Sequence, residues 1–170
     1  MHGTLQRLDR AGRTIAPGAV TVMLIVLGMV PTHLPGYERI APHVGLAAVY
    51  YWAINRPDLL PPWMAFAFGL FQDLLSGTPL GQSAMAYSLT YWGVDAQRRH
   101  LSKGNFLVDW LGFALAALVT GAVAWLAACA TALTPVHPAP ALFQALLSCA
   151  LFPAVAWLCL KMHRAFLVAA

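Results

Sequence analysis

The sequence predicts an all-α integral membrane protein, a compact bundle of six transmembrane helices with both termini cytoplasmic. Three observations carry this. The 170 residues are 60% apolar and only 9% charged, against about 25% charged in an ordinary soluble domain. The apolar residues fall in runs separated by Pro, Gly and charge. When those runs are threaded back and forth across a bilayer, nine of the ten Lys and Arg residues land on one side. A soluble domain this small leaves roughly 30% of its unfolded-chain surface exposed, and this composition has too few polar residues to cover that surface. Lipid is the solvent that fits.

Taken in order, the candidate helices are Pro17–His33, Ile40–Ile54, Pro61–Ser76, Gln82–Val94, Phe106–Leu133 and Ala139–Leu160. An upright crossing needs about 20 residues. The second, third and fourth runs are shorter, so they recruit flanking residues or sit where the bundle thins the bilayer. The fifth is long enough to tilt. Pro31, Pro35 and Gly36 close the first connection, and Arg56-Pro57-Asp58 with Pro61-Pro62 marks the second. Gly77-Thr78-Pro79-Leu80-Gly81 is a tight turn, and Pro135, Pro138 and Pro140 separate the last two helices. Residues 1–170 read as a single transmembrane domain with a short basic cytoplasmic segment, 1–14. The first apolar run follows that segment as a signal peptide would. It lacks an A-x-A cleavage site and more spans follow, so it reads as an uncleaved helix. No repeat or low-complexity tract is present, and the outside loops are too short to build a soluble domain.

Orientation follows from the basic residues. With a cytoplasmic amino terminus, Arg7, Arg10, Arg13, Arg56, Arg98, Arg99, Lys103, Lys161 and Arg164 face the cytoplasm and Arg39 alone faces outward. Trp52, Trp63, Trp92, Trp110 and Trp157 fall near the cytoplasmic helix ends, joined by Tyr50, Tyr51 and Tyr91, where amphipathic rings favour the interface. The net charge of +4 does not indicate nucleic acid, which needs a basic face or stripe. Short basic clusters between apolar runs suit anionic headgroups, so the bilayer is the expected partner. Cys129, Cys149 and Cys159 lie inside apolar segments without a CxxC pair and read as small core residues.

Asp73 is the informative polar residue. Counted from Pro61, it lies about 18 Å into the bilayer at 1.5 Å per residue, past the midplane of a core about 30 Å thick. A charged carboxylate there costs roughly 2.5–3.5 kcal/mol on insertion scales, so it faces protein or water, or is protonated. At helical spacing Ala65, Gly69, Gln72, Asp73 and Ser76 share one small, polar face, while Ala67, Leu70, Phe71 and Leu74 take the other. The first face is the one expected to pack. Ser83, Tyr87 and Thr90 form a stripe on the antiparallel fourth helix, with Tyr91 at its margin. Asp73 is expected to accept hydrogen bonds from these hydroxyls or from backbone N–H groups of the Gly77–Gly81 turn. An interhelical bond is preferred over a proton or ion relay, because no second intramembrane acid or base lines up with it. Asp109, near the start of the fifth helix, reads as wet. Gly112/Ala116 and Ala117/Gly121 are small-xxx-small pairs that allow a close helix contact, within the bundle or with a partner.

Other chemistry finds little support. His33, Glu38, His43 and His137 match no ligand spacing, so no metal site is assigned. His100 and His163 sit among basic residues. No Ser or Cys has an evident base partner and no phosphate-binding glycine loop is present, so no catalytic residue and no cofactor are expected.

The stretch Arg56-Pro57-Asp58, Pro61-Pro62-Trp63 and Gly69-Leu70-Phe71-Gln72-Asp73-Leu74-Leu75-Ser76-Gly77-Thr78-Pro79-Leu80-Gly81 resembles the MreD family, the rod shape-determining inner-membrane proteins of bacteria. The likeness is close over residues 56–91 and loose over the whole chain. It implies a multi-pass protein of the inner membrane that works without catalysis in the cell-wall elongation machinery. Its implied partners are the membrane helix of MreC and, indirectly, the MreB filament, RodA and a class B penicillin-binding protein. It also implies a fold similar to the six-helix substrate-binding subunits of energy-coupling-factor transporters. Carried over, Gly69, Asp73, Gly77, Pro79 and Gly81 are a structural signature. With Pro57, Gln72, Ser83 and Tyr87 they form the expected structural or interaction motif.

Two functional readings follow. One is a scaffold that binds partner helices in the bilayer and helps maintain rod shape. The alternative is a small-molecule-binding transport subunit of energy-coupling-factor type, with Gln72, Asp73, Gln82, Ser83 and Tyr87 as its polar lining.

Overall fold

The computed structural model describes residues 17–28, 42–101, 106–132 and 137–163, and among these it is all-helical with no strand. Six α-helices follow one another: α1 (Pro17–Gly28), then α2 (Val44–Asn55), α3 (Pro62–Ser76), α4 (Gln82–Leu101), α5 (Phe106–Ala132) and α6 (Ala139–His163), with a 3₁₀ turn at Pro57–Leu59 between α2 and α3. The basic segment 1–14 and residues 29–41 lie outside the described residues.

Local chemistry sets the boundaries. The Arg56 N–H turns back to the Trp52 carbonyl (2.8 Å), and the Leu60 N–H closes the 3₁₀ turn on Pro57 (3.2 Å). Pro62 then opens α3, where a missing N–H costs nothing and the fixed φ suits the first turn. Three helices differ from expectation. α2 begins at Val44 instead of Ile40, because Pro42 and His43 are irregular and the Val44 N–H bonds to the Pro42 carbonyl (2.9 Å). α4 runs on from Val94 to Leu101 and α6 from Leu160 to His163. Polar residues end a lipid-compatible run, but without Gly or Pro they do not end a helix.

α2 is the axis of the bundle. Every residue from Gly45 to Ile54 is buried, because α2 touches α3, α4, α5 and α6 and Ile25 of α1 lies against Gly45. A helix that is apolar all round is enclosed by protein or by lipid, and α2 is enclosed by protein. This corrects the interfacial reading of four aromatics: Tyr50, Tyr51, Trp52 and Tyr91 are core residues. Trp63, Trp92, Trp110 and Trp157 do lie exposed. Trp110 also donates its Nε1–H to the Cys149 carbonyl at 3.0 Å, and the Lys161 ammonium sits 5.0 Å above the Trp157 ring.

Where α2 meets α5 and α6, aromatic rings form the densest packing. Phe113 stacks on Phe152 with centroids 4.4 Å apart, and Tyr50 meets both edge-on at 5.4 and 5.7 Å, geometries that suit the ring quadrupoles. The Tyr50 hydroxyl reaches the Asp109 carbonyl at 3.0 Å. The Ala117/Gly121 pair is used inside the bundle: Ala117 is fully buried, and a Cβ on Gly121 would lie 3.3 Å from the Ala141 carbonyl oxygen of α6. Cys159 is buried, whereas Cys129 and Cys149 are only half-buried.

α5 and α6 are long and apolar enough to cross a membrane, and most of their apolar surface faces outward. Leu111, Leu115, Leu118, Leu142, Phe143 and Leu146 are all exposed. Monomeric soluble proteins rarely present such an array of large apolar side chains to water.

Removing the Phe113 ring tests the core. Phe113→Ala is expected to cost about 3 kcal/mol, the low end for a buried Phe, since lipid reduces the transfer contribution while the lost ring contacts remain. Leu115→Ala, on the exposed face of the same helix, is expected to cost under about 0.5 kcal/mol. Thermal unfolding of both variants in detergent measures the difference.

Candidate functional site

The polar residues singled out in the sequence meet at the end of the bundle that carries the Gly77–Gly81 turn. α3 ends there because Gly77 adopts φ +66°, a left-handed conformation that glycine enters without steric cost. Gly81, at φ +100°, is the N-cap of α4: its carbonyl accepts the Met85 N–H at 2.9 Å. A glycine cap leaves the first N–H groups of the helix without the side-chain acceptor that Ser, Thr, Asp or Asn would provide.

Asp73 of α3 supplies that acceptor from the neighbouring helix. Its Oδ2 accepts the Gly81 N–H at 2.9 Å, and the Ser83 N–H lies 2.9 Å from Oδ1 and 3.1 Å from Oδ2. The Ala84 N–H reaches Oδ2 at 3.4 Å, and the Thr78 hydroxyl donates to Oδ1 at 2.9 Å. Four donors thus surround a carboxylate that is 1% exposed, at the end of α4 where the helix dipole favours negative charge. Of the donors expected from sequence only the Gly81 N–H of the turn is used; the Ser83 and Ala84 N–H groups of α4 and the Thr78 hydroxyl were not among them. Ser83 contributes its backbone, and Tyr87 is engaged elsewhere.

The Tyr87 hydroxyl donates to Gln72 Oε1 at 2.6 Å, and both groups lie against Gly45 in the first turn of α2. His43, the N-cap of α2, gives no side-chain cap. Ser148 of α6 completes that end by accepting the His43 N–H at 2.9 Å and donating to the Gln144 carbonyl at 2.7 Å. Two helix starts are therefore capped by side chains from neighbouring helices.

Close packing makes this reach possible. A Cβ on Gly69 would fall against the Cα of Ala84 and within 2.6 Å of the Ala84 nitrogen and the Ser83 carbonyl oxygen, all of them backbone. α3 and α4 touch at Gly69, four residues before Asp73. Gly45, which the sequence reading did not single out, does the same for α2: a Cβ there would lie 2.6 Å from the Tyr87 hydroxyl and 2.9 Å from Gln72 Oε1. Its signal was present as the one glycine within the apolar α2.

Pro79 is exposed, and its carbonyl accepts the Gln82 N–H at 3.2 Å. Pro57 is not part of this cluster; it opens the 3₁₀ turn before α3, roughly 20 Å away along a 15-residue helix. On the small face of α3, Ala65, Gly69 and Asp73 are buried and Gln72 is half-buried, but Ser76 is exposed and Phe68 is buried instead. Asp109 is drier than expected, because its Oδ1 is sealed from solvent and has no hydrogen-bond partner. Of the metal-site candidates, His33 and Glu38 lie outside the described residues, and no group of three or more potential ligands comes together among the described ones.

Both carboxylate oxygens of Asp73 and the Oε1 of Gln72 meet donors, an arrangement that staples helices. A family model described as rod shape-determining protein MreD matches residues 12–162. Comparison with curated proteins and with solved structures found no match.

Asp73→Leu leaves three N–H groups and a hydroxyl without their acceptor, and an unmade bond to a buried donor costs about 1–3 kcal/mol. It is expected to destabilise the protein by at least about 3 kcal/mol. Asp73→Asn keeps one acceptor oxygen and ranks with Asp as a cap, so a loss of about 1 kcal/mol is expected. Unfolding curves in detergent should therefore order wild type, Asn and Leu; equal Asn and Leu values would contradict the capping role.

Proposed function

The chain belongs to the MreD family of rod shape-determining membrane proteins, and from that we propose that it acts as a non-catalytic scaffold of the cell-wall elongation complex in the bacterial inner membrane. Its work is to hold the membrane helix of MreC, and through it to keep MreB, RodA and a class B penicillin-binding protein in one assembly. In this reading residues 1–170 form one transmembrane domain. The six helices cross the bilayer in the plan of the energy-coupling-factor substrate-binding subunits, with both termini and the segment 1–14 in the cytoplasm. The Gly77–Gly81 turn then lies on the outer side.

The observation that carries the proposal is the use made of the polar residues. Asp73, Gln72 and Tyr87 bond to one another's helices, which leaves them structural. The large exposed apolar surface of α5 and α6 is suited to lipid and to partner helices. The transport alternative draws no support from this arrangement, since Asp73, Gln72 and Tyr87, which would line its pocket, are held by those bonds.

Affinity purification of the tagged protein from membranes is expected to recover MreC, and depletion in a rod-shaped host is expected to round the cells. Recovery of an ATPase module without MreC, in cells that keep their rod form, would contradict the proposal.

A further inference from the structure

The apolar exterior of the bundle is taller on one side than on the other. On α6 it runs from the exposed Trp157 up to the exposed Ala139, about 27 Å at 1.5 Å per residue. That nearly matches a hydrocarbon core about 30 Å thick, and α5 is longer still. On α3 the exposed apolar surface runs only from Trp63 to Leu75, about 18 Å. The antiparallel α4 presents Met85, Leu89 and Trp92 over the same stretch.

Contacts through α2 put the two sides on one scale. Ser148 of α6 accepts the His43 N–H, and Gln72 of α3 lies against Gly45, two residues further along. Toward the cytoplasmic end of the proposed topology, Trp157 is nine residues from Ser148 and Trp63 nine from Gln72. The two tryptophans therefore stand within about 3 Å of one level. They are 61% and 68% exposed, and exposed tryptophans favour the headgroup level. Toward the outer end the two sides part. Ala139 is nine residues from Ser148, about 13 Å, whereas the exposed Ser76 is four from Gln72, about 6 Å. With the offset between His43 and Gly45 included, α6 stands about 10 Å taller than α3.

The extension of α4 to Leu101 does not repair the shortfall, because Asp95 and Gln97 are exposed and the added length is polar. A short apolar face is accommodated by thinning the bilayer, by snorkelling of flanking residues or by oligomerising. Snorkelling needs a long apolar stem, and the exposed residue at the outer edge is Ser76. Oligomerising would cover Trp63 and Trp92, whose open rings mark the headgroup level on this face.

We infer that the α3–α4 face binds a locally thinned layer of lipid, about 10 Å shallower on its outer side than the layer against α6. The occupant of this face is lipid acyl chain, shortened or disordered to the height of α3. The inference rests on the six-crossing arrangement proposed above and adds to it a taper of the bilayer toward one side of the protein.

The test uses the purified full-length protein in dioleoylphosphatidylcholine vesicles, with Cys129, Cys149 and Cys159 replaced by Ala and one exposed residue at a time changed to Cys. Ser76→Cys lies about 20 Å above Trp63, and Leu142→Cys about 22 Å above Trp157. A membrane-impermeant maleimide, present on both sides, reacts with a thiol only where water lets it ionise. Ser76→Cys is expected to react at least tenfold faster than Leu142→Cys, although it is the lower of the two. Leu89→Cys, in the middle of the short face, is expected to stay unreactive. Phe143→Cys serves in place of Leu142→Cys should that variant fail to fold. Equal protection at positions 76 and 142 would overturn the inference, because full-thickness lipid or a second copy would then cover the α3–α4 face. Equal reactivity at both would overturn it as well, since the protein would have no tall side. If Leu89→Cys reacts as fast as Ser76→Cys, the α3–α4 hairpin does not cross the bilayer and the six-crossing arrangement falls too. MreC is absent from the vesicles, so a failure to recover MreC from cells leaves this result standing.

Discussion

One carboxylate on α3 closes the start of α4, and the packing of the bundle follows from that contact. Because Gly81 brings no side chain to the N-cap, α4 depends on Asp73 for its first N–H groups. Asp73 can reach them only because Gly69 lets the two backbones touch at Ala84. The hairpin so fixed carries Gln72 and Tyr87 to the first turn of α2, the helix around which the other five are arranged. In hydrocarbon an unmatched backbone group is costly because no water can replace the missing partner. Borrowed caps at the two helix starts are accordingly more consequential here than on the surface of a soluble protein.

The glycine-rich stretch between residues 69 and 81 acquires a physical meaning in this light. Gly69 permits contact, Asp73 caps, Gly77 turns the chain through a left-handed conformation, and Gly81 leaves the cap open for a carboxylate from outside its own helix. Pro79 contributes a carbonyl to the last step of the turn. The chain belongs to a shape-determining family, and a hairpin braced in this way supports the scaffold role proposed above.

Much of the fold was legible from composition and punctuation. Long apolar runs broken by Pro and Gly gave the order of the six helices and the tight turn at Gly77–Gly81. The small face of α3 pointed to Asp73 as a packed residue. What the residues alone did not reveal depended on three-dimensional neighbours. Tyr50, Tyr51 and Trp52 have the chemistry of interface residues, and only the central position of α2 buries them. The extent of α4 was hidden because hydropathy ends at Val94 while helical hydrogen bonding does not. Gly45 went unnoticed because its role lies in what it allows Tyr87 and Gln72 to do from two other helices. Ser148 was equally invisible, being 105 residues from the His43 N–H that it accepts.

Amide hydrogen exchange at Gly81, Ser83 and Ala84, compared between the wild-type protein and Asp73→Leu, reads the borrowed cap at the atoms involved. Slow exchange at all three in the wild type is expected, with at least tenfold faster exchange in the variant and little change in the interior of α5. Equal rates in the two proteins would mean that α4 holds its first turn without Asp73, and the capping role assigned to that residue would be wrong.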